Sequence, residues 1–127
     1  MNGRKDERFP KETRLRKRAD YLRVQNTGVK VQSRVFIGLI VFGHHGPTRL
    51  GVTTTKRIGN AVARNRIRRL VREAFRRGTM NIPIETEIVV IAKHRATALS
   101  NEEIFNDLKK LSRQARRIGE KRHPCDE

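Results

Sequence analysis

The segment from residue 56 to residue 77 constrains the fold most, because it combines a helical rhythm of apolar residues with dense positive charge. Its apolar residues recur every three or four positions, as they do on the buried side of an α-helix. The segment carries nine basic residues and one acid, Glu73. Asn60 is placed to cap a helix that begins near Ala61 and ends at Gly78. The sequence therefore predicts an amphipathic helix whose arginine-rich outer face suits the binding of phosphate groups.

The charge of the whole chain points the same way. Its 127 residues include 30 Lys and Arg against 13 Asp and Glu, a formal net charge of +17. A charge of this size destabilises a compact chain through self-repulsion, so we expect a polyanionic partner such as RNA or DNA. A merely solvated charged face fits less well, because nearly all of the charges have one sign. An anionic membrane is a weaker candidate, since no stretch approaches the ~20 apolar residues of a spanning helix.

The remaining apolar patterns predict one α+β domain over residues 1–127, with helices packed over a sheet and with flexible tails at about 1–10 and 120–127. The turn cluster at 43–47 favours an antiparallel hairpin of the two strands beside it. The last helix opens with the capping-box spacing of Ser100 and Glu103. Besides the basic helix, the predicted elements are a helix from residue 12 or 13 to 26, strands at 35–42, 48–55 and 85–92, and a helix from about residue 101.

The sequence carries no pattern that is typical of a protein active site. Its carboxylates are scattered, and His44 and His45 lie in a turn without spaced Cys or acid partners, so we predict no catalytic residue and no metal site in the protein. The single cysteine, Cys125, cannot form an internal disulfide. The N-terminus has no apolar segment of the kind found in secretory signals, so the cytoplasm is the expected location.

The nature of the nucleic acid follows from what the chain lacks. Helix-turn-helix spacing is absent, which argues against a reader of duplex DNA. With one tyrosine, five phenylalanines and no tryptophan, the chain has few rings on which unpaired bases could stack. We therefore expect contact mainly with the backbone of folded RNA. Tyr21 has two open interpretations, an exposed stacking ring or a half-buried helix residue.

The basic segment resembles the signature of the bacterial ribonuclease P protein component, which centres on an Arg-Asn-Arg triplet, here residues 64–66. The resemblance extends over most of the chain. It includes the segments 14–17, 20–21, 34–42, 50–52 and 88–95 and the final helix.

The resemblance implies a two-layer α/β sandwich, with a central mixed sheet of about four strands, three helices and a left-handed βαβ crossover. It also implies a protein subunit of ribonuclease P, the small partner of a catalytic RNA that removes the 5′ leader of precursor tRNA. That reaction uses Mg²⁺, which we expect the RNA to bind for the most part. The expected partners are the catalytic RNA and precursor tRNA, with one protein per RNA.

The resemblance also implies two sets of binding residues. The set facing the catalytic RNA is Lys56, Arg57, Asn60, Arg64, Asn65, Arg66, Arg68, Arg69 and Arg72. The set lining the cleft for the single-stranded leader is Tyr21, Gln25, Ile37 and Leu39. An indirect metal contact through Asn65 stays open. Gln25 and Leu39 stand where the family often has aromatic residues, so this cleft should stack bases less strongly.

Two other kinds of protein are alternatives to a ribonuclease P subunit. A ribosomal or ribosome-assembly protein without a nuclease role would share the charge and the sandwich fold. A free-standing protein ribonuclease would need a cluster of acids or histidines, which the sequence does not offer.

Overall fold

The computed structural model describes residues 14–15, 17–43, 48–83 and 85–122, with the side chains at 56, 121 and 122 excepted. The described part holds three α-helices, four strands and two short 3₁₀ segments. In chain order these are α1 (Arg18–Thr27), β1 (Val29–Gln32), β2 (Phe36–Phe42), β3 (Arg49–Thr53), a 3₁₀ turn (Lys56–Ile58), α2 (Ala61–Arg76), β4 (Thr86–Ala92), a second 3₁₀ turn (His94–Ala98) and α3 (Asn101–Arg122).

The four strands form one mixed sheet in the order β1-β2-β4-β3. The β1–β2 and β2–β4 pairs are antiparallel, whereas β3 and β4 run parallel and are joined through α2. A parallel pair needs a long connection of this kind, because the chain must return to the same end of the sheet. The mixed sheet with three helices confirms the predicted α+β fold class.

The predicted hairpin between the strands at 35–42 and 48–55 is wrong. These strands, β2 and β3, are separated by β4, and β2 forms its hairpin with β1 instead. β4 is buried along nearly its whole length, so it takes a central place with a neighbour on each edge. A short connection between two strands permits pairing but does not require it.

The first helix begins later than predicted. Arg14 forms a parallel bridge with Leu50, and the Leu15 backbone N–H donates to the Leu50 carbonyl at 2.9 Å. Leu15, which falls within the predicted helix, is buried instead from an extended segment along β3. α1 then runs from Arg18 and ends before Gly28, as predicted.

The helices cover the two faces of the sheet unequally. α2 and α3 cover one face and build the main core, in which Phe36, Ile67 and Leu111 are fully buried. Of the helices in the described ranges, only α1 crosses the other face, with Val24 buried over the sheet and Tyr21 against β3. Ile37 and Ile91 face each other across β2 and β4 on this second face and stay partly exposed. The sheet is therefore left partly open beside α1.

Both predicted helix caps are confirmed. The Ala63 backbone N–H donates to Asn60 Oδ1 at 3.0 Å at the start of α2. At the start of α3, the Ser100 N–H donates to Glu103 Oε1 at 2.9 Å, and the Glu103 N–H donates to Ser100 Oγ at 3.2 Å. Hydrogen bonding from the Ser100 backbone N–H lowers the pKa of Glu103, and the Ser100 side chain adds a smaller effect in the same direction.

Candidate nucleic-acid interface

α2 presents the predicted basic face. Ile67, Leu70 and Val71 are buried against the core, while Asn65, Arg69 and Arg72 are exposed and Arg64 and Arg68 are partly exposed. The Arg68 Nη1 lies 3.4 Å from Asn65 Oδ1, a weak contact within the helix. The apolar side holds α2 on the sheet, and its guanidinium groups are thereby aligned on one outer surface.

Some of the predicted RNA-binding residues also have structural partners. Asn60 caps α2, as described above. Arg66 Nη2 donates to the Leu99 carbonyl and to Asn101 Oδ1, both at 2.8 Å, so this arginine fixes α2 against the start of α3. Arg64 Nη1 donates to the Gly59 carbonyl at 3.3 Å. Arg66 thus combines a structural contact with its predicted place in the RNA-binding set.

Three arginines and Tyr21 meet in a pocket at the outer edge of β3. The pocket has a volume of about 380 Å³ and is lined by Arg14, Arg68, Arg72, Tyr21 and three apolar residues, with no carboxylate among them. Partial burial lowers the pKa of Arg72, and the positive charge of Arg14 lowers it further. Guanidinium groups form charge-assisted hydrogen bonds with phosphate oxygens, so this arginine-lined pocket is suited to phosphate.

Tyr21 is held in place by β3 itself. The Val52 backbone N–H donates to Tyr21 Oη at 3.1 Å, and the ring lies over Gly51. A Cβ added at Gly51 would lie 2.8 Å from Cζ of the ring, so any larger residue would push the ring from this position. Tyr21 is half-buried, and its remaining exposed surface borders the arginine pocket.

A groove opens on the α1 face where β2 begins and β4 ends. It has a volume of about 690 Å³. Ile37 and Ile91 form an apolar floor, and Thr55 and Arg57 come from the segment that precedes α2. Lys93, His94 and Arg95, which follow β4, complete the basic rim.

The four predicted cleft residues all belong to this side of the molecule. Leu39 packs with Tyr21 in the small cluster under α1, and Ile37 lies in the floor of the groove. Gln25 is exposed one helical turn after Tyr21, on the same side of α1. Sequence reasoning missed Ile91 and the rim residues that follow β4, although the cross-strand pairing of Ile37 with Ile91 links them to the predicted cleft.

Ion pairs fix α1 above the sheet. Glu87 on β4 is fully buried and accepts from Arg23 Nη1 at 2.6 Å and from Arg49 Nη2. Asp20 lies 3.3 Å from Arg23 and 4.0 Å from Arg49. The bond with Glu87 is the main reason that the pKa of Arg23 is raised. These contacts tie α1 to β3 and β4.

The described residues offer little for other kinds of site. Among them, no group of three or more His, Cys, Asp or Glu is placed to hold a metal ion, and His44, His45 and Cys125 lie outside this part of the chain. No helix in the described ranges is long and apolar enough to span a bilayer. Another cavity, of about 530 Å³ beside Phe42, has Glu85 and Glu120 in its lining and is less suited to phosphate.

Comparison with known proteins agrees with this geometry. The Ribonuclease P family model matches residues 9–116. The ribonuclease P protein component of Desulforapulum autotrophicum is 43% identical over 103 residues, covering 81% of this chain and 88% of that protein. The corresponding protein of Desulfatibacillum aliphaticivorans is 39% identical over 112 residues, covering 83% and 95%.

Solved structures show the same fold. The Staphylococcus aureus RNase P protein superimposes with a TM-score of 0.76 at 33% identity, covering 83% of this chain and 96% of that one. The Thermotoga maritima RNase P protein gives a TM-score of 0.70 at 31% identity, covering 79% and 96%. The chain therefore belongs to the ribonuclease P protein family, whose members are the protein components of an endoribonuclease that works as a ribonucleoprotein with the ribonuclease P RNA.

Proposed function

We propose that the protein binds the catalytic RNA through the outer face of α2 and the 5′ leader of precursor tRNA through the groove beside α1. It thereby assists the Mg²⁺-dependent hydrolysis that gives mature tRNA its 5′ end. The observation that carries this proposal is the pocket shared by Tyr21, Arg14, Arg68 and Arg72. Two of its arginines come from α2, and its ring comes from α1, the helix beside the groove.

The α2 face is suited to an RNA backbone rather than to bases. Its exposed groups are guanidinium and amide groups, which form charge-assisted hydrogen bonds with phosphate oxygens. Arg69 and Arg72 have no carboxylate partner among the described residues, so a phosphate would supply the missing negative charge. This surface would position the protein on the RNA without reading its sequence.

The groove is suited to a flexible single strand. Ile37 and Ile91 offer apolar surface to the faces of bases, and the basic rim lies where the phosphates of the same strand would pass. Base stacking on aromatic rings contributes about 1–3 kcal/mol per base. Aliphatic side chains give less, so leader binding here depends more on phosphate contacts and on Tyr21.

The chemistry of the cleavage belongs to the RNA in this proposal. The described residues do not provide a magnesium-binding set of their own, and Mg²⁺ held by RNA phosphates would supply the activated water. The protein contributes by holding the substrate in position, which alone can lower a barrier substantially. One protein would act with each RNA, in the cytoplasm, and an indirect role of Asn65 in metal binding stays a prediction.

The test is cleavage of precursor tRNA in Mg²⁺, with and without a bacterial ribonuclease P RNA. We expect no cleavage by the protein alone and clear stimulation of the RNA at low salt. Cleavage without the RNA would indicate a free-standing protein ribonuclease. An absence of stimulation would favour the ribosomal or ribosome-assembly alternative.

A further inference from the structure

The last helix carries a second basic surface, which neither the α2 face nor the leader groove includes. Within α3, Ile104, Leu108, Leu111 and Ala115 are buried against the sheet. On the opposite side of the helix lie four exposed cations, Lys109, Lys110, Arg113 and Arg117, which we call the α3 basic face. Their spacing of three and four residues places them in one outward stripe about 12 Å long.

The charges of the α3 basic face are not compensated within the described part of the protein. No carboxylate in that part lies within ion-pair distance of these four residues, whereas Arg76 and Arg77 at the end of α2 both contact Glu73, at 3.6 Å and 3.2 Å. Like charges three and four residues apart destabilise a helix. A row of such pairs, as between Lys109, Arg113 and Arg117, therefore fits a surface that meets an external anion.

The position of α3 separates this stripe from the α2 face. Both helices cover the same face of the sheet, but α3 packs over β1 and β2 toward one edge, whereas α2 packs beside β3 toward the other edge. Gln114 strengthens this placement, since its side-chain amide donates to the Gln32 carbonyl at the end of β1. The two basic surfaces can therefore contact two different stretches of nucleic acid at once.

We propose that the α3 basic face binds the phosphate backbone of a second, double-helical segment of the catalytic RNA. The outward stripe contains no aromatic ring, and Phe105, the one ring on α3, packs against the core. Without a stacking surface, phosphate contacts are favoured over contacts with unpaired bases. The protein would then connect two RNA segments through two helices. The identification of the partner as the catalytic RNA rests on the proposed function, whereas the inference that this surface binds an anion rests on its exposed charges.

The test compares two variants that lose the same charge. R113A/R117A removes two cations from the α3 basic face, and R34A/R77A removes two exposed cations elsewhere. Binding to ribonuclease P RNA is measured over a range of salt concentrations. We expect the slope of log affinity against log salt to fall by about one to two units for R113A/R117A and by a few tenths for the control. Equal slopes in the two variants would overturn the proposal, because they would reflect net charge alone.

Hydroxyl-radical footprinting of the RNA then locates the contact. The R113A/R117A variant should lose protection in a segment that R64A/R68A/R72A leaves protected. Loss of protection in the same RNA segment in both variants, or unchanged protection in R113A/R117A, would contradict a second RNA-binding surface. Stimulation of cleavage by the wild-type protein is measured on the same material. If the wild-type protein stimulates cleavage but R113A/R117A and R34A/R77A have equal salt slopes, RNA binding by the α3 basic face is refuted and the proposed function stays intact.

Discussion

The substitution Gly51→Ala tests how β3 holds Tyr21. The new Cβ would lie 2.8 Å from the ring, and ordinary carbon contacts lie at about 3.5–4.0 Å, so the ring must move by about 0.7 Å. The same movement takes Oη out of hydrogen-bond range of the Val52 N–H, which is now 3.1 Å away. The lost bond and the overpacking together should destabilise the fold by roughly 1–3 kcal/mol. They should also weaken binding of precursor tRNA more than binding of mature tRNA.

A double-mutant cycle measures this effect by denaturant unfolding. In a Tyr21→Ala background the ring is absent, so Gly51→Ala should cost less than about 0.5 kcal/mol. The control Tyr21→Phe removes the hydroxyl and keeps the ring, so it should lose roughly 0.5–1.5 kcal/mol of stability and keep most of its preference for precursor tRNA. Additive costs in the cycle, or equal losses of affinity for both tRNA forms, would refute the account of Tyr21.

Three further predictions concern the scaffold. Glu87→Ala leaves the guanidinium groups of Arg23 and Arg49 without their buried carboxylate. It should lower the free energy of unfolding by roughly 2–4 kcal/mol. A variant as stable as wild type would contradict the structural role of these ion pairs. Asn60→Ala removes the cap of α2 and should lower the free energy of unfolding by about 1 kcal/mol. An unchanged free energy of unfolding would mean that water replaces the bond to Ala63 and would contradict the capping role. Glu103→Gln tests pH dependence. The pKa of Glu103 in the folded protein lies below its unfolded value of about 4.3. The Glu103 carboxylate therefore contributes its full stabilisation of the fold above about pH 5 and loses it as the pH falls through the lowered pKa. The stability gap between wild type and this variant should close in acid, and a gap independent of pH would contradict the capping role.

The sequence predicted those elements whose causes are local. The basic helix, its Asn60 cap and the capping box of α3 depend on residues a few positions apart, and all three are found. The late start of α1 depends instead on Leu50, which lies far along the chain and pairs with Arg14 and Leu15. Local helix propensity gives no sign of such pairing.

The order of the strands in the sheet could not be predicted from local sequence patterns either. β1 has only four residues, and its turn into β2 is held by Asp107 on α3, which accepts from Ser33 Oγ at 2.6 Å and from the Val35 N–H at 3.0 Å. That carboxylate lies more than seventy residues away from the turn. The groove beside α1 likewise depends on residues that are distant in sequence, because its rim combines residues before α2 with residues after β4.

The measurement that tests the central claim most directly is the salt dependence of binding to ribonuclease P RNA by wild type and R64A/R68A/R72A. Each phosphate contact adds about 0.7–0.9 units to the slope of log affinity against log salt. The triple variant should therefore bind more weakly, with a slope smaller by roughly two to three units, while R34A/R77A keeps a slope close to that of wild type. A triple variant with an unchanged slope would contradict the claim that α2 is the RNA-binding face.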